Sequence, residues 1–534
     1  MKLITYPIVA VLILLTGCTS IPDDLGRSEV NILLSKRGIP VDESTTVTKQ
    51  ELLDSLTSKP LTSESAVRIA LVNNPHMHAT YAELGIAAAD VYEAGRMRNP
   101  VFHFSSLDTN ESGERNLTTF GLIASFTDLI TLPSRKRYAV GEFSAMKQSV
   151  GAEVLAMAAE VESAFYHFVA AKQVAALRAQ IAKSGAISLE LAQRYYDAGN
   201  LSSREYAMEH ASASELQLVS LEAEADAYEK RTELATLLGL SVVDDWDSPA
   251  QLPVPLKNED DIDELLELAK DCRLDLAAAN TRAELLANKL GVTNWTRFLG
   301  DLNVGIEHER ESDGAELTGP ALEWEISIFT QNRDQYLRVN AELKKAITEV
   351  QYLTVAIEND VHLAHKATQN SKARLNEYRK KLIPARIESV ERAQEEENFM
   401  LIGTFELLET KREEYDTYQG YLEVVRDYWL ARTELANAIG TTLPSNVHIG
   451  DEQLDVKEYI APKDSTMDHS GHNTQPEVDH SSHEMQPETD HSGHDMQQSN
   501  EHSEMQHQDN EMDHSSHDMQ PETNHSEHDT HSSH

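Results

Sequence analysis

The stretch Leu322-Glu323-Trp324-Glu325-Ile326-Ser327-Ile328 alternates apolar and polar residues without a break. Successive side chains of a β-strand point to opposite faces, so this run predicts a strand with one apolar and one wet side. Three more segments share the pattern. Leu302, Val304 and Ile306 alternate with Asn303, Gly305 and Glu307; Phe120, Leu122, Ala124 and Phe126 alternate with Gly121, Ile123 and Ser125; Val101 to Leu107 is the fourth. Open sheet edges cannot lie in lipid, and the smallest closed membrane barrels have about eight strands. If these four strands cross a bilayer, several copies of the chain must therefore share one barrel.

The strands come in pairs because the chain carries an internal repeat of about 200 residues. Ala66 to Leu71 leads through Asn74-Pro75 into an Ala-rich stretch, and Leu265 to Ala269 leads through Arg273-Leu274-Asp275-Leu276 into another; Ala70 and Ala269 are 199 apart. Phe126-Thr127 pairs with Phe329-Thr330 at offset 203, Gly199 with Gly403 at 204, and Leu238-Gly239 with Ile439-Gly440 at 201. In each copy a helical period at 64–98 or 262–298 is followed by two strands and then by long helical stretches, 134–198 with 200–239 and 333–401 with 404–440. A helix of 65 residues spans on the order of 100 Å, more than a compact domain needs. Richness in Ala, Glu, Leu and Gln predicts coiled-coil packing of these hairpins. Gly199-Asn200 and Gly403 are expected to turn them, and Pro384 to kink its helix or mark a packing change. The resulting division is 64–240 for the first repeat, 241–261 for a connector with Pro249, Pro253 and Pro255, 262–441 for the second repeat, and 442–463 for a linker.

At the N-terminus Lys2 precedes an apolar run from Leu3 to Leu15, the length of a secretory signal and too short to span a membrane. Leu15-Thr16-Gly17-Cys18 resembles the lipobox of bacterial lipoproteins. That implies a signal peptide at 1–17, acylation of Cys18, and a lipid-anchored segment at 18–63 whose mixed character predicts no clear structure. Thr19 is not the Asp that retains lipoproteins in the inner membrane, which implies the outer membrane. With Cys18 acylated, Cys272 is the sole thiol, so no intramolecular disulfide can form. Beyond residue 20 no run of 18 or more apolar residues occurs.

Formal net charge is -43, and residues 464–534 contribute 17 Asp or Glu with no Lys or Arg. Such a chain repels nucleic acid and attracts cations. The same tail holds 14 of the 23 His and six of the 13 Met. It repeats an Asp/Asn-His-x-x-His unit, placing His469 with His472, His480 with His483, His491 with His494, His514 with His517 and His525 with His528, interleaved with Met485, Met496 and Met519. Imidazoles at i and i+3 can chelate one ion, and thioethers favour Cu(I); the set suits copper or silver, with zinc, cobalt and nickel also accepted by imidazole. The near absence of apolar residues other than Met predicts a disordered segment when no metal is bound. Elsewhere, His362 with His365 and His76 with His78 around Met77 have weaker claims, since helix histidines are usually structural or solvated. No nucleophile triad, phosphate loop or His-Glu-x-x-His motif is present, which argues against an enzyme.

Over nearly all of residues 60–441 the chain resembles the TolC-like outer-membrane factor family. Ala70 to Pro75, Gly95 to Pro100, Tyr196 to Ser202, Gly319-Pro320 with Trp324 to Phe329, and Met400 to Leu408 carry the resemblance, in this order and in both copies. It implies a mostly α fold with a small β part: a trimer whose long helical hairpins form an α-barrel and whose four strands per chain share a 12-stranded transmembrane barrel. The family's role implies an exit duct joined through a periplasmic adaptor to an inner-membrane transporter, with no cofactor in the channel. The periplasmic tip would lie at Gly199 to Glu209 and Gly403 to Glu409, where Glu406 and Glu409 could form carboxylate rings in a trimer; the alternative is a solvated helix face. Arg273-Leu274-Asp275-Leu276 departs from the more usual Arg-Pro-Asp-Leu, and the short turn after Gly403 puts the tip's geometry in question. The expected function is export of metal ions, copper or silver first, with general drug or protein export and a periplasmic metal-buffering scaffold as alternatives.

Overall fold

A computed structural model describes residues 23–39, 49–108, 115–244, 246–296, 298 and 300–449. The chain divides into two units, Met1–Pro462 and Lys463–His534, and every described residue belongs to the first. Cys18 and the His and Met residues of 464–534 lie outside the described residues.

Two short helices, α1 (Arg27–Ser35) and α2 (Lys49–Thr57), precede the first repeat. The repeat opens with α3 (Ser63–Asn73) and α4 (Pro75–Ala94). Thr62 and Ser65 exchange side-chain and backbone hydrogen bonds as a capping box, and Asn74 accepts from the His76 amide at 2.8 Å ahead of Pro75, whose missing N–H costs nothing at a helix start. The second repeat opens the same way with α7 (Ile262–Cys272) and α8 (Leu274–Thr296), between a first-repeat hairpin, α5 (Phe126–Asp197) and α6 (Ser203–Leu238), and a second built from α9 (Arg333–Glu377), α10 (Ile383–Asn398) and α11 (Thr404–Ile439). Each predicted opening helix is thus two, split where Asn74 and Arg273 take up extended backbone.

Strands β1 (Val101–Leu107), β2 (Leu117–Ser125), β3 (Asp301–Arg310) and β4 (Glu316–Glu325) form one antiparallel sheet in the order β1-β2-β3-β4. The central pairing, β2 with β3, joins the two repeats. Two strand ends differ from the sequence reading. Ser125 ends β2 and caps α5, its Oγ accepting from the Asp128 amide at 3.2 Å, so Phe126 begins the helix and the helix starts eight residues earlier than 134. β4 stops at Glu325 because that residue pairs with Asp301, the first of β3; Ile326 and Ile328 keep the alternation but have no strand left to pair with.

The second hairpin also corrects the reading. Gly199 ends α5 with φ 76, and the Asn200 amide donates to the Tyr195 carbonyl. The corresponding left-handed residue in the second hairpin is Met400, φ 59, with the Leu401 amide donating to the Glu396 carbonyl. Gly403 has φ -84 and occupies the N-cap of α11, as Ser202 does for α6. Met400 is therefore the structural counterpart of Gly199, and α6 and α11, each 36 residues long, superpose at the offset seen for Leu238 and Ile439. At Pro384 the expected irregularity is present: a π-helical turn, Tyr378–Leu382, separates α9 from α10. Tyr378 fits there because Gly420 faces it; a Cβ at 420 would lie 2.5 Å from the tyrosine oxygen.

The core sits at the level of α3, the middle of α5 and the C-terminal half of α11. Trp429, Tyr418, Tyr421 and Tyr428 are fully buried, and Trp429 stacks on Tyr166 with centroids 5.4 Å apart. Each such ring removes 150–250 Å² from water, a gross contribution of about 4–6 kcal/mol. One stretch of α5 is long and apolar enough by composition to cross a bilayer, yet 56% of it is buried in this core, as expected of a packed helix. The connector is tied down by polar contacts: Trp429 Nε1 donates to the Pro253 carbonyl at 3.0 Å, Tyr428 donates to Glu259 at 2.7 Å, and Arg432 pairs with Glu259. The N-terminal segment reaches the same level, Arg37 donating to the Cys272 carbonyl at 2.7 Å and accepting from the Thr442 amide at 3.1 Å.

Candidate channel wall and aperture

The sheet register sorts its side chains into two unlike faces. Phe102 lies beside Leu122, which lies beside Ile306; Phe104 lies beside Phe120; Val304 lies beside Leu322, and Leu302 beside Trp324. This face is apolar and uncovered, with Phe102 and Ile306 both 65% exposed and Leu322 69%. The opposite face carries Asp301, Glu307, Glu309, Glu323 and Glu325. β1 and β4 have no outer partner among the described residues, so two rows of backbone donors and acceptors stand open at the edges. Where the strands meet the helices, Trp295 at 70% exposure, Phe298 at 58% and Phe329 at 98% add an exposed aromatic belt. Soluble monomers rarely leave a contiguous apolar surface of this extent. The alternation alone pointed to these two faces; the belt and the open edges needed the fold.

A ring of charge surrounds the same junction on the acidic side. Asp128 is buried between Arg98 at 3.5 Å and Arg135 at 3.8 Å, and Ser125 donates to Asp301 at 3.2 Å. Sequence reading missed Asp128, since no local pattern marks a helix residue as the shared partner of one arginine 30 residues before it and another seven residues after it.

At the other end of the long helices the two hairpin turns lie at Ala198–Ser202 and Phe399–Gly403. Ser202 and Glu205 form a capping box on α6. Glu406 and Glu409 are both exposed in the first turns of α11; Glu409 pairs with Arg412 at 3.1 Å, and Arg412 donates to Ser212 of α6 at 3.2 Å. Further along, Arg178 of α5 pairs with Asp416 of α11 at 2.7 Å. Glu209 faces this groove, accepting from Ser188 at 3.3 Å; burial, with the charge of Glu409 added, lifts its carboxyl above the usual range, while Ser188 and Arg412 oppose the shift. Phe399, Met400 and Leu401 stand 77%, 91% and 74% exposed at the second turn.

The weaker histidine pairs do not converge. Met77 is fully buried, whereas His76 and His78 face out and His76 approaches Glu153 at 3.5 Å. His362 is exposed and His365 half-buried on α9. Among the described residues no group of three or more His, Cys, Asp or Glu is placed to hold a metal ion.

No protein-family model and no curated protein matches the sequence. Solved structures do. The outer-membrane protein VceC of Vibrio cholerae is similar at 15% identity with a TM-score of 0.59, over 71% of this chain and 96% of that one. The CmeC outer-membrane channel of Campylobacter jejuni gives 14% identity and 0.60, covering 78% and 94%. CusC, described as forming a transmembrane channel, gives 15% and 0.58, covering 71% and 92%. The chain has the TolC-like outer-membrane channel fold. The expectation drawn from the motifs of residues 60–441 is thereby borne out for the fold, mostly α with one small four-stranded sheet. In the TolC-like fold of this chain the repeat is visible twice over: in the paired opening helices and in the two hairpins of matched length.

Proposed function

We propose that three copies of this chain form an outer-membrane channel that exports metal ions, copper or silver first, from the periplasm as the exit duct of a tripartite efflux system. The observation that carries the channel is the sheet: an uncovered apolar face, an acidic face and two unpaired edges. Three such sheets joined edge to edge satisfy every edge and close a barrel of twelve strands, with the apolar side to lipid and the acidic side to the lumen. The aromatic belt at Trp295, Phe298 and Phe329 fits the headgroup level. With 72 residues, α5 reaches about 108 Å away from the barrel, long enough to continue the duct through the periplasm toward an adaptor and an inner-membrane transporter.

Metal cargo is favoured by two features of different origin. Five carboxylates per copy on the acidic face, multiplied by three, raise the local concentration of cations in the lumen. The tail at 464–534 supplies paired imidazoles and thioethers suited to copper or silver. Glu406 and Glu409, at the other end, are the groups we assign to the periplasmic aperture, and acylated Cys18 is the anchor to outer-membrane lipid. A duct for drugs or proteins would use the same wall; the tail and the acidic lumen favour ions. The test compares the full chain with a truncation after Pro462. We expect the truncated protein to assemble normally while binding fewer copper ions in calorimetric titration and restoring less copper and silver tolerance to cells. Equal metal binding and equal tolerance would defeat the metal assignment and leave general efflux.

A further inference from the structure

The acidic face of the sheet holds one imidazole. The register places His103 of β1 opposite Gly121 of β2, Gly121 opposite Glu307 of β3, and Glu307 opposite Gly319 of β4, so a single row across the face reads His, Gly, Glu, Gly. Neighbouring strands are about 4.8 Å apart, which puts His103 and Glu307 roughly 10 Å apart at the backbone with only a glycine between them. That glycine is not forced by the sheet. A Cβ at Gly121 would meet nothing closer than the Ile306 carbonyl oxygen at 3.4 Å, an ordinary contact, whereas a Cβ at Gly305 would come within 2.4 Å of the Leu122 carbonyl oxygen. Gly305 is glycine because the backbone leaves no room; Gly121 is buried between its neighbours but has room for a Cβ, so its lack of a side chain leaves nothing standing between His103 and Glu307. His103 and Glu307 are both exposed, and neither side chain makes a hydrogen bond or ion pair among the described residues. The other imidazole of the sheet, His308, is already engaged on the apolar face, 2.7 Å from the Thr318 hydroxyl and 4.7 Å from the Phe120 ring.

We infer that His103 and Glu307 form a transit station for a divalent transition-metal ion, held over Gly121 on the lumenal side of the barrel; this rests on the acidic face lining a channel. One imidazole nitrogen and one carboxylate oxygen, each about 2 Å from the ion, bridge the gap when both side chains lean inward. This donor pair suits Zn²⁺, Cu²⁺, Co²⁺ or Ni²⁺ and lacks the sulfur that would select Cu(I). Two protein ligands leave the remaining coordination positions to water. Binding is then weak enough for release, which conduction demands of any site on its path. The station lacks the thioether donors of the tail and so differs from it in metal preference.

The test is zinc block of the full-length protein in planar bilayers, zinc chloride being a redox-inert probe. His103→Gln and Glu307→Gln should each raise the half-blocking zinc concentration at least tenfold, as loss of a metal ligand does. Gly121→Val, which puts a side chain between the two and removes no ligand, should move it the same way. Zinc-free conductance of each variant reports that it has folded and inserted. A half-blocking concentration unchanged in both ligand variants overturns the station, since zinc then acts elsewhere. Absence of any conductance from the unaltered protein sinks the channel reading itself, and the two failures are distinct.

Discussion

Leu122 lies in the middle of β2 with Phe102 on one side and Ile306 on the other, and 52% of it is exposed. If the apolar face meets lipid, Leu122→Arg places a guanidinium near mid-depth of the bilayer. That costs about 2–4 kcal/mol for an outward-facing barrel position, or roughly 30- to 900-fold in the equilibrium between inserted and uninserted protein. Thr119→Arg is the control. Thr119 belongs to the same strand but to the acidic face, between Ser105 and Glu309, where an arginine meets a carboxylate and water. Its cost should stay within about 0.5 kcal/mol, the usual range for a surface change. Refolding into phospholipid vesicles across a urea series measures both. A large shift is expected for Leu122→Arg and a small one for Thr119→Arg. Equal shifts would mean that neither face sees lipid, and the assignment of apolar side to bilayer and acidic side to lumen would be wrong.

Three further outcomes follow from side chains away from the sheet. Arg432, only 2% exposed, is held by Glu259, Ser445 at 2.8 Å and Asn446 at 2.7 Å, and Glu259 keeps Tyr428 and Lys372 as partners without it, so Arg432→Ala should destabilise by about 1.5–3 kcal/mol, and a loss below about 0.5 kcal/mol in chemical denaturation would deny the pair that role. Burial raises the Glu162 carboxyl from 4.5 to about 7, so the folded state holds its proton more tightly than the unfolded one; the group's contribution is complete below pH 4.5 and is lost as pH rises toward 7. Glu162→Gln should therefore flatten the fall in melting temperature between pH 5 and pH 8, and an unchanged slope would show that Glu162 does not titrate in that window. Met400→Gly should relieve left-handed backbone strain of about 1 kcal/mol at the second hairpin turn and slow amide exchange from residues 396–401, whereas faster exchange would show the methionine side chain to be holding the turn.

The repeat, the four strands and the two hairpins were legible because each is written as local periodicity, and β1 runs over the very residues that alternate, Val101–Leu107. What was misread depends on partners distant in sequence. Alternation continues through Ile328, but a strand ends where its neighbour does, and β3 begins only at Asp301. Gly403 drew the turn to itself because glycine is the usual left-handed residue; a methionine in that conformation is uncommon and has no signature. The segment before residue 63 had no readable role, since its contacts reach Cys272 and Thr442 across the fold. Of the proposed functional residues, Glu406 and Glu409 sit at the expected turn, while the row of His103, Gly121 and Glu307 emerges only once three strands are in register. Cys18 and the tail histidines lie outside the described residues.

Every functional assignment above depends on three copies sharing one water-filled passage. That sharing is tested most directly by single-channel current recorded from size-separated oligomers of the detergent-extracted protein in a planar bilayer. The trimer fraction alone should conduct, and should pass cations in preference to anions, because its wall would carry Asp301, Glu307, Glu309, Glu323 and Glu325 from every subunit. A monomer fraction that conducts equally well, or a trimer that carries no current, would contradict it.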